Sequence, residues 1–319
     1  MDALTVHHDE KPSTEHDWPG HPESAVRLAA VERGLRSADD LSTVPSRAAE
    51  EVDLDMVRAV HTDSHIRRVE RAARDGGGWL DADTYCTQRS FDVARYAAGA
   101  AVDAARSVAK GESKHAFALV RPPGHHATPT TPMGFCLFNN IAVAARALQR
   151  EHGLERIAIL DVDVHHGNGT QDVFYDDPDV LYVSLHQWPL YPGTGRAGER
   201  GSGKGVGTTL NLPVPPGTDA PRWLEVFDAL AVPAVRAHRP QAILVSAGYD
   251  AHESDPLANL RLRTETYAAI ATRVAGVAEE TNAVGTVWVL EGGYDLEALP
   301  ASVIATMREL ARVGESETP

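Results

Sequence analysis

Residues 157–170, IAILDVDVHHGNGT, put two carboxylates and an imidazole at the end of a short apolar run. The run Ile157-Ala158-Ile159-Leu160 has the length and β-branched character of a buried strand. In a strand, alternate residues share a face, so Asp161, Asp163 and His165 are expected to project together. Burying such groups unpaired is costly, and a divalent cation removes that cost. The O, O, N donor set suits zinc or iron(II), and four-coordinate zinc with one open position suits hydrolysis. A lone DxDxH also fits a solvated strand-to-helix turn, so the weight falls on the other strand ends.

Three further apolar runs end in comparable groups. His115–Val120 is followed by Arg121-Pro122-Pro123-Gly124-His125-His126-Ala127. Ala242–Val245 leads into Ser246-Ala247-Gly248-Tyr249-Asp250-Ala251-His252, and Thr286–Leu290 into Glu291-Gly292-Gly293-Tyr294-Asp295. Taken singly, each has a bland explanation: a surface loop, a packed aromatic, a helix cap at Asp250. As one ordered series they converge on a pocket. Asp163, His165 and Asp250 are the expected ligands. Two carboxylates leave a divalent ion formally neutral, so activating water and stabilising an oxyanion would need protein groups as well. One imidazole of the His125-His126 pair can take a proton from water and return it to a leaving group. Asp161 and Asn168 lie close enough in sequence to the ligands to orient those rings. Tyr294, on a glycine turn, can donate its hydroxyl to a developing oxyanion. Together these make a metal-assisted amide or ester hydrolase.

The elements that must position these groups alternate between apolar strands and helices. Residues 3–8 read as a short edge strand. Helices are expected over 23–36, 53–60, 63–74, 91–110, 140–151, 221–238, 264–280 and 296–313, and further strands over 180–185 and 208–214. Residues 75–89 and 193–207 read as loops, and a polar tail follows residue 313. This alternation implies an α/β fold with a parallel sheet covered on both faces. Ligands in such sheets bind beyond the carboxyl ends of the strands. No repeat or linker divides the pattern, and residues 1–319 read as a single domain.

The 319 residues carry a net charge of −15, which argues against a general nucleic-acid binder and is compatible with a cationic substrate. Two cysteines, Cys86 and Cys136, offer no disulfide framework. The opening MDALTVHHDEKP shows no signal-peptide core and no apolar run is long enough for a membrane span, so a cytoplasmic location is expected.

The chain resembles the histone deacetylase and acetylpolyamine amidohydrolase superfamily, on its class II side. The resemblance rests on GHPES-x-x-RL (20–28), RPPGHHA (121–127), GFC-x-FNN (134–140), LDVDVHHGNGTQ (160–171), VSLH (183–186), YPGTG (191–195), SAGYDAH (246–252) and EGGYDL (291–296). Asn168, where class I relatives carry aspartate, points to class II. The resemblance implies an arginase-like fold with eight parallel strands, and zinc on Asp163, His165 and Asp250. It makes His126 the general base and acid, with His125 an electrostatic partner, oriented by Asn168 and Asp161 respectively, and Tyr294 the transition-state tyrosine. It implies a substrate tunnel walled by Gly134, Phe135 and Tyr191, with tyrosine where phenylalanine is more usual, and a rim carboxylate at Asp83. It implies potassium at Asp161, Asp163, His165, Ser184 and Leu185, and a second monovalent ion near Phe174 and Val180.

The expected substrate is an acyl-lysine in a peptide or protein. Two facing aromatic rings suit the apolar stem of such a side chain. Three rival readings are an acetylpolyamine amidohydrolase, a two-manganese ureohydrolase of the same fold, and a catalytically weak acyl-lysine binding module.

Overall fold

Strand formation follows the apolar runs. The computed structural model describes residues 1–8 and 13–316. Its strands are β1 (Asp2–His8), β2 (Ser46–Ala48), β3 (Gly78–Trp79), β4 (Tyr85–Cys86), β5 (Ser113–Leu119), β6 (Ile157–Asp161), β7 (Val180–Gln187), β8 (Thr209–Val214), β9 (Ala242–Ala247) and β10 (Thr286–Leu290). Eight of them form one sheet in the order β2-β1-β5-β10-β9-β6-β7-β8, while β3 and β4 make a separate two-stranded sheet. Every neighbouring pair in the large sheet is parallel. The expected α/β fold with eight parallel strands is therefore observed.

The central strands β5, β10, β9, β6 and β7 are buried on both faces, and their alternate residues feed two cores. Phe117, Leu160, Val245 and Trp288 point into one. Ala118, Ile159, Leu244 and Val289 point into the other. Helices 25–36, 264–280 and 298–316 cover the first face, and helices 63–74, 90–109 and 140–152 the second. Helix 90–109 presents a row of buried alanines, Ala97, Ala98, Ala101, Ala104 and Ala105, to helix 140–152, which answers with Ala144, Ala145 and Ala147. Small side chains let the two helices and the sheet approach closely.

The structure corrects several sequence expectations. β1 is not an edge strand: β2 lies outside it, in register Val6 with Ser46. A three-residue strand is too short to show a period. The stretch read as a loop at 75–89 contains the β3–β4 pair, with Gly78 opposite Cys86. The helix read as 221–238 is interrupted by a π-helical turn at Phe227–Ala231. Pro233 lacks an N–H and would crowd the carbonyl of Ala229 in a regular helix, and the wider turn relieves this. The last helix runs to Ser316; of the expected polar tail, residues 317–319 lie outside the described residues. Among those described, no helix is long and apolar enough to cross a membrane.

β5, β10, β9 and β6 are consecutive in the sheet. Their carboxyl ends, the four that carry histidines, carboxylates and glycines, therefore lie side by side.

Candidate active site

Strand β6 stops at Asp161, so Asp163 and His165 lie in the bends beyond it. The strand-parity expectation fails at this point, and the three residues do two different jobs. Asp161 turns to His125, whereas Asp163 and His165 meet Asp250 from the end of β9. One donor atom from each of Asp163, His165 and Asp250 lies within 4.8 Å of the others. His165 Nδ1 is 3.1 Å from Asp163 Oδ1 and 3.1 Å from Asp250 Oδ2.

This donor set fits a divalent cation. Both carboxylates are fully buried, and among the described residues their ion-pair partners are histidines alone. Burial and the neighbouring Asp163 raise the pKa of Asp250. Burial also opposes charge on His165, but the two carboxylates outweigh it and raise its pKa to about 10. A proton there supplies the positive charge that two buried carboxylates require, and a metal ion is its natural replacement. The remaining carboxylate oxygens are held by backbone: Val164 N–H donates to Asp250 Oδ1 at 2.9 Å and Gly292 N–H to Asp163 Oδ2 at 2.9 Å. A Cβ on Gly292 would sit 2.1 Å from Asp250 Oδ2, so only glycine allows this approach.

The two adjacent histidines have different partners. His125 Nδ1 donates to Asp161 Oδ2 at 3.1 Å. Burial opposes a charge on His125, but Asp163 and Asp161 outweigh it and lift its pKa well above the ordinary value. His126 Nδ1 donates to Asn168 Oδ1 at 2.8 Å, which leaves Nε2 as an acceptor. Burial, then the positive neighbours His125 and His165, push the pKa of His126 well down. Two adjacent imidazoles are thus pushed in opposite directions, His125 toward the charged form and His126 toward the neutral one.

Around these groups lies a cavity of about 200 Å³, lined by Phe135, Tyr191, Leu257, Tyr294 and Asp83 among others. Gly134, Phe135 and Tyr191 all line it. Tyr191 meets the His126 ring edge-on at 5.1 Å between centroids, and Phe135 meets Tyr294 at 5.9 Å. Gly134 and Phe135 both adopt positive φ, +57° and +68°, which turns the phenyl ring toward the cavity. A Cβ on Gly134 would lie 2.5 Å from His126 Cδ2. Asp83 reaches the rim, where burial and then Asp81 raise its pKa. Burial raises the pKa of Tyr294 well above its ordinary value, so the phenol keeps its proton. Ser184 is the register partner of Asp161, and Leu185 follows it, both buried. Phe174, at the end of helix 168–174, and Val180, at the start of β7, are buried too.

Several residues of the site were not assigned a role from sequence. Glu291 Oε2 accepts from the N–H of Gly124 at 2.6 Å and of His125 at 3.1 Å, fixing the histidine loop from β10. Tyr182 donates to Asp161 Oδ2 at 3.0 Å. Beneath Tyr294, Arg27 and Arg121 share the buried Glu23, with Arg27 Nη1 at 3.2 Å and Arg121 Nε at 2.8 Å from Oε1. Arg27 also donates to the carbonyls of Gly293 and Glu291 and lies 4.7 Å from the Tyr294 ring centre. Glu23, Arg27 and Arg121 all lie inside the GHPES-x-x-RL and RPPGHHA stretches; their charge among apolar neighbours was the available signal.

The family model described as "Histone deacetylase domain" matches residues 21–310. "Histone deacetylase 10, chloroplastic" from Oryza sativa subsp. japonica is 43% identical over 314 residues, covering 93% of this chain and 71% of the relative. "Probable deacetylase" from Archaeoglobus fulgidus is 43% identical over 311 residues, covering 94% of this chain and 85% of that one. The crystal structure of the HDA15 HD domain superposes with a TM-score of 0.91 at 35% identity, covering 97% of this chain and 89% of that one.

Proposed function

The chain belongs to the histone deacetylase domain family, and we propose that it is a zinc-dependent hydrolase that removes an acetyl group from the side-chain amine of lysine in a peptide or protein. Hydrolase chemistry of the deacetylase kind follows from the family; the metal, the substrate and the residue roles are the proposal. The observation that carries it is the different pairing of two adjacent histidines, His125 with the Asp161 carboxylate and His126 with the Asn168 amide oxygen, beside a buried two-carboxylate, one-imidazole donor set.

Asp163, His165 and Asp250 would hold the ion, with iron(II) the alternative to zinc. The bound ion supplies Lewis-acid polarisation of the amide carbonyl and an acidified water. His126 Nε2 takes the proton of the attacking water, because Asn168 keeps its Nδ1 protonated. His125, favoured as a cation by Asp163 and by its partner Asp161, adds positive potential as the carbonyl oxygen gains negative charge. Tyr294 donates its hydroxyl to that oxygen. His126 then returns its proton to the departing amine, which leaves as lysine beside acetate. Phe135 and Tyr191 enclose the stem and exclude water, and Asp83 at the rim accepts from substrate amides. Potassium at Asp161, Asp163, His165, Ser184 and Leu185 belongs to the same reading.

The test is acetate release by metal-loaded protein from an acetyl-lysine peptide and from N-acetylputrescine, run in parallel. Turnover of the peptide is expected. Turnover of the polyamine alone would move the substrate and keep the chemistry. No turnover of either, with one metal bound per chain, would overturn the reading in favour of a binding module.

A further inference from the structure

The backbone that carries Tyr294 is gripped at three successive residues. Gly292 N–H donates to Asp163 Oδ2 at 2.9 Å, the Gly293 carbonyl accepts from Arg27 Nε at 2.7 Å, and Tyr294 N–H donates to Asp255 Oδ2 at 2.7 Å. The third grip is unlike the others. Asp255 lies on the loop that leaves β9 beyond Asp250. Its second oxygen, Oδ1, accepts from Leu257 N–H at 3.0 Å. Tyr294 and Leu257 both line the cavity, from two different segments. One side chain therefore joins two parts of the wall.

A carboxylate is a demanding choice for that position. Asp255 is only 6% exposed, and its carboxylate accepts from these two amides. Burial and the charge of Asp250 push its pKa up to about 7. A loop could be tied by an uncharged group at lower electrostatic cost. What a carboxylate adds is two acceptor oxygens in a fixed plane, one for each segment.

We propose that Asp255 is a positioning residue for the hydrolysis, yoking Leu257 to Tyr294 so that the phenol is aimed while the substrate stem lies against the wall. The role rests on the reading of Tyr294 as the oxyanion donor. Two variants of the full-length, metal-loaded protein test it. Asp255→Ala removes both acceptors. Asp255→Asn keeps the shape but turns an NH2 group toward one of the two amides. Backbone hydrogen exchange is read on peptides spanning 291–299 and 251–262, and kinetics on the substrate that turns over. Asp255→Asn is expected to raise exchange at least about tenfold in one of the two peptides, and Asp255→Ala in both, with metal content unchanged. The expected kinetic effect is a fall in kcat of about 10- to 100-fold with KM within about twofold. Adding Asp255→Asn to Tyr294→Phe should cost nothing further, because both act through the same hydroxyl.

Unchanged exchange in both variants overturns the yoke. A multiplicative double variant overturns the route through Tyr294. If the parent protein hydrolyses no acyl amine, the functional reading fails on its own, and exchange still decides whether Asp255 joins the two segments.

Discussion

His125 and His126 are neighbours of the same type whose pKa values are pushed in opposite directions, His125 up by Asp163 and Asp161 and His126 down by burial and the neighbouring His125 and His165. The carboxylate of Asp161 favours a cation on His125; the amide oxygen of Asn168 fixes the tautomer of His126 without adding charge. Asn168→Asp would bring a carboxylate to His126 Nδ1 and raise its pKa. A base with a higher pKa is protonated, and idle, over a wider acid range. The acid limb of the kcat/KM profile should therefore move to higher pH by about 1 unit or more, and activity at pH 6 should fall. A pH–rate profile with an unmoved limb contradicts this charge assignment. His126→Ala should lower kcat/KM by about 10²- to 10⁴-fold. The parallel loss for His125→Ala should be smaller, since that ring contributes charge without moving the proton.

At the scale of elements, the site depends on loops held by groups outside it. Among the described residues, Glu23 is the buried acid that pairs with both Arg27 and Arg121. Burial opposes its charge, but the two guanidiniums bring its pKa down to about 2. Glu23→Gln leaves two buried cations short of a counter-charge. It should cost about 3–5 kcal/mol, seen as a drop in the melting midpoint on the order of 10 °C. A shift under about 2 °C would show that the arginines find other partners. The strand ends were legible because long apolar runs stop abruptly at glycine and titratable residues, as at Leu290-Glu291-Gly292. The parts that were not legible depend on tertiary contacts. Nothing near Tyr182 in sequence shows that its hydroxyl reaches Asp161, and nothing near Asp255 shows that it faces Tyr294. The parity rule placed Asp161 with Asp163 and His165, and the end of β6 at Asp161 separated them. β2 and the β3–β4 pair were missed for want of length, and the π turn because a proline inside a helical pattern does not say how the helix adapts.

The whole molecule buries an unusual number of neutral histidines. Burial lowers His7, His65 and His186 to about 4 and His16, His115 and His166 to about 3. In the unfolded chain each titrates near 6.5. Between about pH 6.5 and these lower values the unfolded state binds more protons, so stability falls as pH falls. Each such histidine contributes up to about 1.4 kcal/mol per pH unit. Glu23 adds a loss of the same sign at lower pH, from about 4.5 down to about 2. Acid unfolding is therefore expected to begin near pH 6, above the carboxylate range, and a denaturation midpoint flat from pH 7 to pH 4.5 would contradict it. The net charge of −15 predicts that kcat/KM for a basic acetyl-lysine peptide falls as salt is raised, and more steeply than for a neutral one.

All three scales meet at the four adjacent strand ends, where Asp163, His165 and Asp250 cluster beside His126 and Tyr294. The measurement that reaches this most directly is a zinc titration of metal-stripped protein, following bound metal and acetyl-lysine hydrolysis together, with Tyr294→Phe alongside. Activity is expected to rise from nothing and saturate at one zinc per chain. Tyr294→Phe should bind the same single zinc while losing about 100-fold or more in kcat. Full activity in the stripped protein, or an undiminished rate in Tyr294→Phe, would contradict the account.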